Sequence, residues 1–268
     1  MTIRRKIFLF VLIFFILILK LSFLQAVEPI PPELSGIGVD EKLGNVLDLQ
    51  NTFQDEKGNE VKLQNFFDGK RPVILTLVYY GCPNLCGFLL NGFVDSLRSL
   101  PWSPGKEFNI VTVSIDPSEK PELAIQKKEA LLNVYQRPGA DENWHFLTGK
   151  EENIHKLASQ VGFKYRYDKE EKQFAHSAVI ILISPEGKVT RYLYGIQFPP
   201  RDLRLALTEA SQGKIGSVVD KFLLFCYHYD PKGKKYALMA MNLMKVAGII
   251  TVLALGIGLL FQLKRDRR

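Results

Sequence analysis

Cys82 and Cys86 bracket three residues in Tyr79-Tyr80-Gly81-Cys82-Pro83-Asn84-Leu85-Cys86-Gly87, directly after the apolar run Val73 to Val78. The chain has 268 residues and only three cysteines, so two of them are committed to one loop. A strand that delivers a Cys-x-x-x-Cys loop into a helix sets thiols against unpaired helical amides, which favour the thiolate. Such a pair can close a disulfide or jointly hold a soft ion. The usual redox dithiol has two intervening residues; the third loosens the loop and suits metal capture better than rapid exchange. A metal reading needs a further ligand, and the chain offers four histidines.

The elements around the loop decide which histidine can reach it. Glu28-Pro29-Ile30-Pro31-Pro32 reads as an extended lead-in, and Gly36 to Phe67 as a small β-hairpin region. Val73 to Val78 has the continuous apolar character of a central strand buried on both faces. Phe88 to Leu97 is apolar at helical spacing. Asn109 to Ile115 reads as a second strand, Pro121 to Leu132 as a helix entered through Pro, and Phe146-Leu147 as a short strand. Glu151 to Val161 is a helix closed by Gly162. Ala178 to Ile183 and Val189 to Tyr194 flank the turn Ser184-Pro185-Glu186-Gly187-Lys188, and Asp202 to Ser211 is a last helix. This order is that of an α/β thioredoxin-like sandwich, over residues 32–212.

In that arrangement His176, in Phe174-Ala175-His176-Ser177, stands at the entrance of a strand that runs beside the cysteine strand. It can reach the loop. His145 and His155 read as a strand-edge and a helix-surface residue without a ligand role. Two thiolates and one imidazole make a soft, three-coordinate set appropriate to Cu(I) and workable for Cu(II).

The net charge of +7 hints at nucleic acid or a membrane surface. Its location removes the first. Of 35 Lys and Arg and 28 Asp and Glu, the two tails hold 8 and 1, so the 27 and 27 between them cancel. The basicity is a topology signal, and no nucleic-acid partner is expected. Residues 1–26 join Arg4-Arg5-Lys6 to the 13-residue apolar stretch Ile7 to Leu19, as in a signal peptide or an N-terminal anchor. Val246 to Leu263 is uncharged over 18 residues, about 27 Å as a helix, enough to span a bilayer. The tail 264–268 is basic, which puts the C-terminus in the cytoplasm. The expected product sits in the cell membrane with one or two passes, contacts lipid through its C-terminal transmembrane helix, and displays the domain on the exported, oxidising side.

Three separated segments in order, Tyr79-Tyr80-Gly81-Cys82-Pro83-Asn84-Leu85-Cys86, Val113-Ser114-Ile115-Asp116-Pro117 and Phe174-Ala175-His176-Ser177, resemble the motif set of the Sco/SenC family over about Pro32 to Gln212. The resemblance implies a membrane-tethered, thioredoxin-like copper chaperone. One copper ion per domain is bound by Cys82, Cys86 and His176, and Cys82 and Cys86 can also pair as a redox-active disulfide. Its partner is the copper-accepting subunit of cytochrome c oxidase, whose binuclear copper site it helps assemble by delivering copper or reducing the acceptor's cysteines. The family's motif aspartate falls on Asp116, with a role in docking or tuning. Two departures mark a subgroup: Gly87 stands where the family usually has Pro, and the convincing span is C-terminal where many members are anchored N-terminally.

The alternative is an exported thiol-disulfide reductase in which Cys82 attacks and Cys86 resolves. Thioredoxin enzymes carry a Pro before the strand facing the site; Ala175-His176-Ser177-Ala178 has none. A peroxidase would need an activating Thr and Arg, which the loop does not supply. Catalysis is therefore not the expected role. The third cysteine lies in the linker 213–245, where Cys226 and His228, with Met239, Met241 and Met244 nearby, offer an accessory copper site. The plainer reading is a small apolar residue in a segment whose Tyr227, Tyr229 and Tyr236 suit a membrane interface.

Overall fold

A computed structural model of the chain describes residues 36–82 and 85–215, together with Gly248, Thr251, Val252 and Gly256, which are helical. The expected leader, Cys226 and His228, and all but those four positions of the expected span lie outside the described residues. Among the described residues no helix is long and apolar enough to cross a membrane.

The chain enters through β1 (Gly38–Val39) and the hairpin β2 (Thr52–Gln54) and β3 (Glu60–Lys62), where a β-hairpin region was expected. Then come β4 (Val73–Val78), α1 (Leu85–Arg98), β5 (Asn109–Ser114), α2 (Pro121–Tyr135), the short α3 (Ala140–Asn143) and β6 (Trp144–Leu147). The second half holds α4 (Glu151–Gln160), β7 (Phe163–Asp168), β8 (Gln173–His176), β9 (Val179–Ile183), β10 (Val189–Tyr194) and α5 (Pro200–Ser211).

The main sheet has the order β10-β9-β4-β5-β6. β4 pairs in parallel with β5, and β5 with β6, while β9 and β10 run antiparallel. Every residue of β4 and β5 is buried, as continuous apolar runs at the centre of a sheet covered on both faces require. Two of the polar exceptions are paired with each other: Thr76 donates to the Thr112 hydroxyl at 2.8 Å, and the Trp144 indole donates to the same oxygen at 2.9 Å. The thioredoxin-like α/β order is thus present. It puts the Cys82 loop at the carboxyl end of the central strand, where α/β sheets hold their ligands.

One part of the fold differs from expectation. Residues 163–176 form a hairpin, β7 and β8, which joins β1 in a separate three-stranded sheet. Its sequence, Phe163-Lys164-Tyr165-Arg166-Tyr167, alternates aromatic and basic residues, but the turn carries Lys169-Glu170-Glu171-Lys172 without Gly or Pro. Lys172 takes positive φ (51°) there, a conformation usually left to Gly or Asn. Gly162 does take the left-handed conformation (φ 66°) that closes α4, and a Cβ there would lie 1.8 Å from the Asp40 carbonyl oxygen.

The tip of the β2–β3 hairpin is anchored by a buried ion pair between Glu56 and Lys128 of α2. Glu56 also accepts the Phe146 amide at 3.1 Å, which ties hairpin, helix and sheet edge together. Removing one member strands a buried charge, whereas neutralising both does not. Lys128→Ala is expected to lose about 3 kcal/mol in urea unfolding. Glu56→Gln combined with Lys128→Met should recover more than half of that loss.

Candidate metal and thiol site

The loop that carries Cys82 is fixed by its backbone. The amides of Tyr80 and Gly81 donate to the two carboxylate oxygens of Glu119, at 2.8 and 2.6 Å, and the Ser114 hydroxyl donates to the same carboxylate at 2.5 Å. Charge-assisted bonds of this length are strong, and three on one carboxylate set the loop's position relative to β5. The Tyr80 hydroxyl donates to the Leu147 carbonyl at 2.8 Å, which secures the loop to β6. Glu119 lies three residues beyond Asp116 and was not singled out from the sequence. The motif aspartate itself makes a local turn: Asp116 accepts from the amide (2.8 Å) and hydroxyl (2.6 Å) of Ser118. The signal for Glu119 was the acidic residue following an Asp-Pro turn, which sequence alone does not aim at another loop's amides.

Cys86 lies in the first turn of α1 and is fully buried; Cys82 is half-buried. The Cys86 amide donates to the Cys82 sulfur at 3.4 Å, so Cys82 satisfies one of the amides that a helix start leaves unpaired. Both residues are present as thiols. β8 delivers His176 as its last residue, opposite Tyr165 of β7, and sets His176 Nε2 3.0 Å from the Cys86 sulfur. A separate hairpin therefore delivers His176, and β9, which begins three residues later, is the strand that pairs with β4.

The imidazole is oriented at both nitrogens. Nδ1 lies 3.0 Å from the Ser177 carbonyl, which can only accept, so Nδ1 carries the proton and Nε2 presents its lone pair to the Cys86 S–H. A backbone carbonyl that fixes the outer nitrogen is the arrangement of metal-ligating histidines. The ring packs against Tyr79 (6.1 Å) and Phe163 (5.9 Å). Burial holds the His176 pKa below its ordinary value, with the Ser177 carbonyl opposing, so the ring is neutral. Burial pushes the Cys86 thiol well up, with the neighbouring Tyr79 backbone opposing.

Cys86 and His176 are thus in contact and Cys82 adjoins them through the Cys86 amide. Among the described residues no three donor side chains are gathered closely enough to hold an ion as they stand. The donor types fit a soft cation; closing the set takes a reorientation of the Cys82 side chain, the more exposed of the two thiols. His145 packs on Phe66 (4.5 Å) and His155 stacks on Tyr165 (5.4 Å), both away from Cys86.

These ionisations set a pH window. Folded Cys86 keeps its proton where an unfolded thiol, with pKa near 8.5, gives it up; its stability contribution is present below that pH and lost as pH rises. Folded His176 and His145 stay neutral where unfolded imidazoles, with pKa about 6.5, protonate; their contribution is present above that pH and lost as pH falls. Chemical denaturation of the reduced, metal-free chain is expected to give a plateau between about pH 6.5 and 8.5. Above it stability should fall by up to about 1.4 kcal/mol per pH unit, and Cys86→Ser should flatten that limb.

The chain is similar to known proteins in sequence and in fold. The curated SCO1 protein homolog of Bacillus subtilis is 28% identical over 155 residues, 56% of this chain and 75% of that one. A crystal structure of a candidate electron transfer protein from Aquifex aeolicus VF5 is similar with a TM-score of 0.54 and 25% identity, covering 64% of this chain and 95% of that one. BsSco, described as a member of the Sco family of cytochrome c oxidase assembly proteins with a disulfide switch, has the same fold at a TM-score of 0.50, with 22% identity over 65% of this chain and 97% of that one. The family model for SCO1/SenC matches residues 40–210, well over half of the sequence, and the chain belongs to that family.

Proposed function

We propose that this protein is a membrane-tethered copper chaperone that holds one copper ion through Cys82, Cys86 and His176 and passes it to the copper-accepting subunit of cytochrome c oxidase. The observation that carries the reading is the buried contact between Cys86 and a neutral His176 whose Nε2 lone pair is already aimed at the sulfur. A copper ion supplies soft Lewis acidity, for which thiolate and imidazole are the matching donors. His176 needs no deprotonation to ligate. Cys86 gives up its proton as it ligates, a loss that burial makes costly unless a cation replaces it. Cys82, half-buried at the surface, is the residue that an acceptor's thiols can approach first.

Family membership and the description of BsSco support the oxidase as destination. The exported location and the tether at residues 246–263 rest on the charge and hydropathy of the two ends. Asp116, in its turn near the loop, is assigned to partner docking.

A second reading, reduction of the acceptor's cysteines, is favoured by the unequal burial of the thiols: an accessible Cys82 can attack and a buried Cys86 can resolve. His176 separates the two. In a competition assay with a chromogenic Cu(I) chelator, His176→Ala should weaken copper binding roughly 100-fold or more, beyond the usual effect of losing an outer-shell partner. Equal affinity in both proteins would overturn the chaperone reading and leave the reductase. Cys226→Ser should retain one copper per chain; a halved stoichiometry would instead make Cys226 and His228 a second site.

A further inference from the structure

The two consecutive tyrosines before the cysteines are treated differently by the fold. The Tyr80 hydroxyl is satisfied by the Leu147 carbonyl. The Tyr79 hydroxyl is buried and meets no hydrogen-bond partner among the described residues. Three other buried polar atoms share that condition, in Asn109, Tyr135 and Thr148, but only Tyr79 belongs to the segment that carries the thiols.

Tyr79 lines the site on two sides. Its ring stands edge-on to His176 (6.1 Å) and to Phe174 (5.6 Å). Its carbonyl accepts the Cys82 amide at 3.3 Å, closing a tight turn between the two residues. A phenol carries its proton and is available as a donor, and the Cys82 sulfur is adjacent. The ring contacts would be served equally by Phe. The hydroxyl adds a buried donor that the metal-free dithiol leaves unused, and an unsatisfied buried donor is destabilising. Its natural acceptor is a group that becomes strongly accepting only in another state of the site. The Cys82 sulfur is that group: as a thiol it is a weak acceptor, and as a thiolate it is a charged one.

We propose that Tyr79 is a positioning residue of this site, its hydroxyl donating a hydrogen bond to the Cys82 thiolate when copper is held and so fixing the sulfur that must reorient to complete the donor set. The inference rests on the copper reading above. It also accounts for how Cys82, already accepting the Cys86 amide, keeps a defined direction once its side chain turns toward Cys86 and His176.

Tyr79→Phe in the full chain removes the hydroxyl and keeps the ring. Three measurements separate the roles. Urea unfolding of the reduced, metal-free protein should be unchanged or shifted to higher denaturant, because a buried orphan has been removed. Copper(I) affinity, by chelator competition, should fall about tenfold, as expected for one charge-assisted hydrogen bond. The sulfur-to-copper charge-transfer band of the copper(II) form should move to lower energy, because a thiolate that loses a donor is easier to oxidise. Unaltered affinity and an unaltered band in Tyr79→Phe, with the parent protein binding copper normally, would overturn this inference and leave the copper reading intact. A metal-free protein destabilised in proportion to its lost affinity would also overturn it, by making Tyr79 a packing residue. A parent protein that fails to bind copper would overturn the copper reading, and this inference with it.

Discussion

Everything at this site turns on a buried thiol held 3.0 Å from a buried neutral imidazole by elements ninety positions apart in sequence. Neither group is comfortable when charged. Burial raises the Cys86 thiol and lowers His176, and the two tendencies meet in a neutral S–H···N contact. An arrangement that resists forming a thiolate by itself is a poor nucleophile and a good receptacle, because a soft cation supplies at once the charge that the apolar surroundings withhold. The central strand, the first helix and the β7–β8 hairpin all have to be in register for that contact to exist.

The register is held by carboxylate and aromatic groups more than by the cysteines. Glu119 gathers two backbone amides and a hydroxyl at the start of the loop, so the loop is carried on the turn that precedes α2. On the far side Tyr79, Phe163, Tyr165 and Phe174 form a connected set of ring contacts that seats the hairpin against the loop. Edge-to-face packing of this kind is directional, and it fixes the angle of the His176 ring as well as burying it. The Ser177 carbonyl then selects the tautomer. Three kinds of weak interaction, each ordinary, thus fix the position, angle and protonation of one ligand.

The sequence made the main sheet legible because the elements that build it have a single period each. Val73–Val78 is apolar but for Thr76 and Val179–Ile183 is apolar throughout, and Val189–Tyr194 begins at a turn with Gly and Pro in their expected places. Cys82, Cys86 and His176 stood out as candidates because cysteines are few in this chain, and the structure brings Cys86 and His176 into contact. The β7–β8 hairpin was not: its turn uses Lys172 at positive φ, and its charged outer face and aromatic inner face do not read as a buried strand. Glu119 and Tyr79 escaped for a different reason. A carboxylate that binds backbone amides, or a phenol whose oxygen is left unsatisfied, is defined by what the fold brings to it and has no pattern of its own in one dimension.

The unequal environments of the two thiols bear on how one loop can serve both metal transfer and redox chemistry. Cys86 is committed: it is fully buried, its proton is held by the surroundings, and His176 occupies its front. Cys82 is half-buried, and its sulfur accepts the Cys86 amide at 3.4 Å. The Glu119 clamp ends at Gly81, one residue before Cys82, and so does not itself hold the Cys82 side chain. In the copper reading proposed above, Cys82 is the residue that would move and Cys86 and His176 the two that would not, so an incoming thiol would exchange at one position while the ion stays held at the other two. The reductase reading asks the same side chain to turn toward Cys86 and close a disulfide, its two electrons passing to an oxidant. Both readings thus ask one side chain to move, and the choice between them falls to whether a cation or an oxidant arrives first.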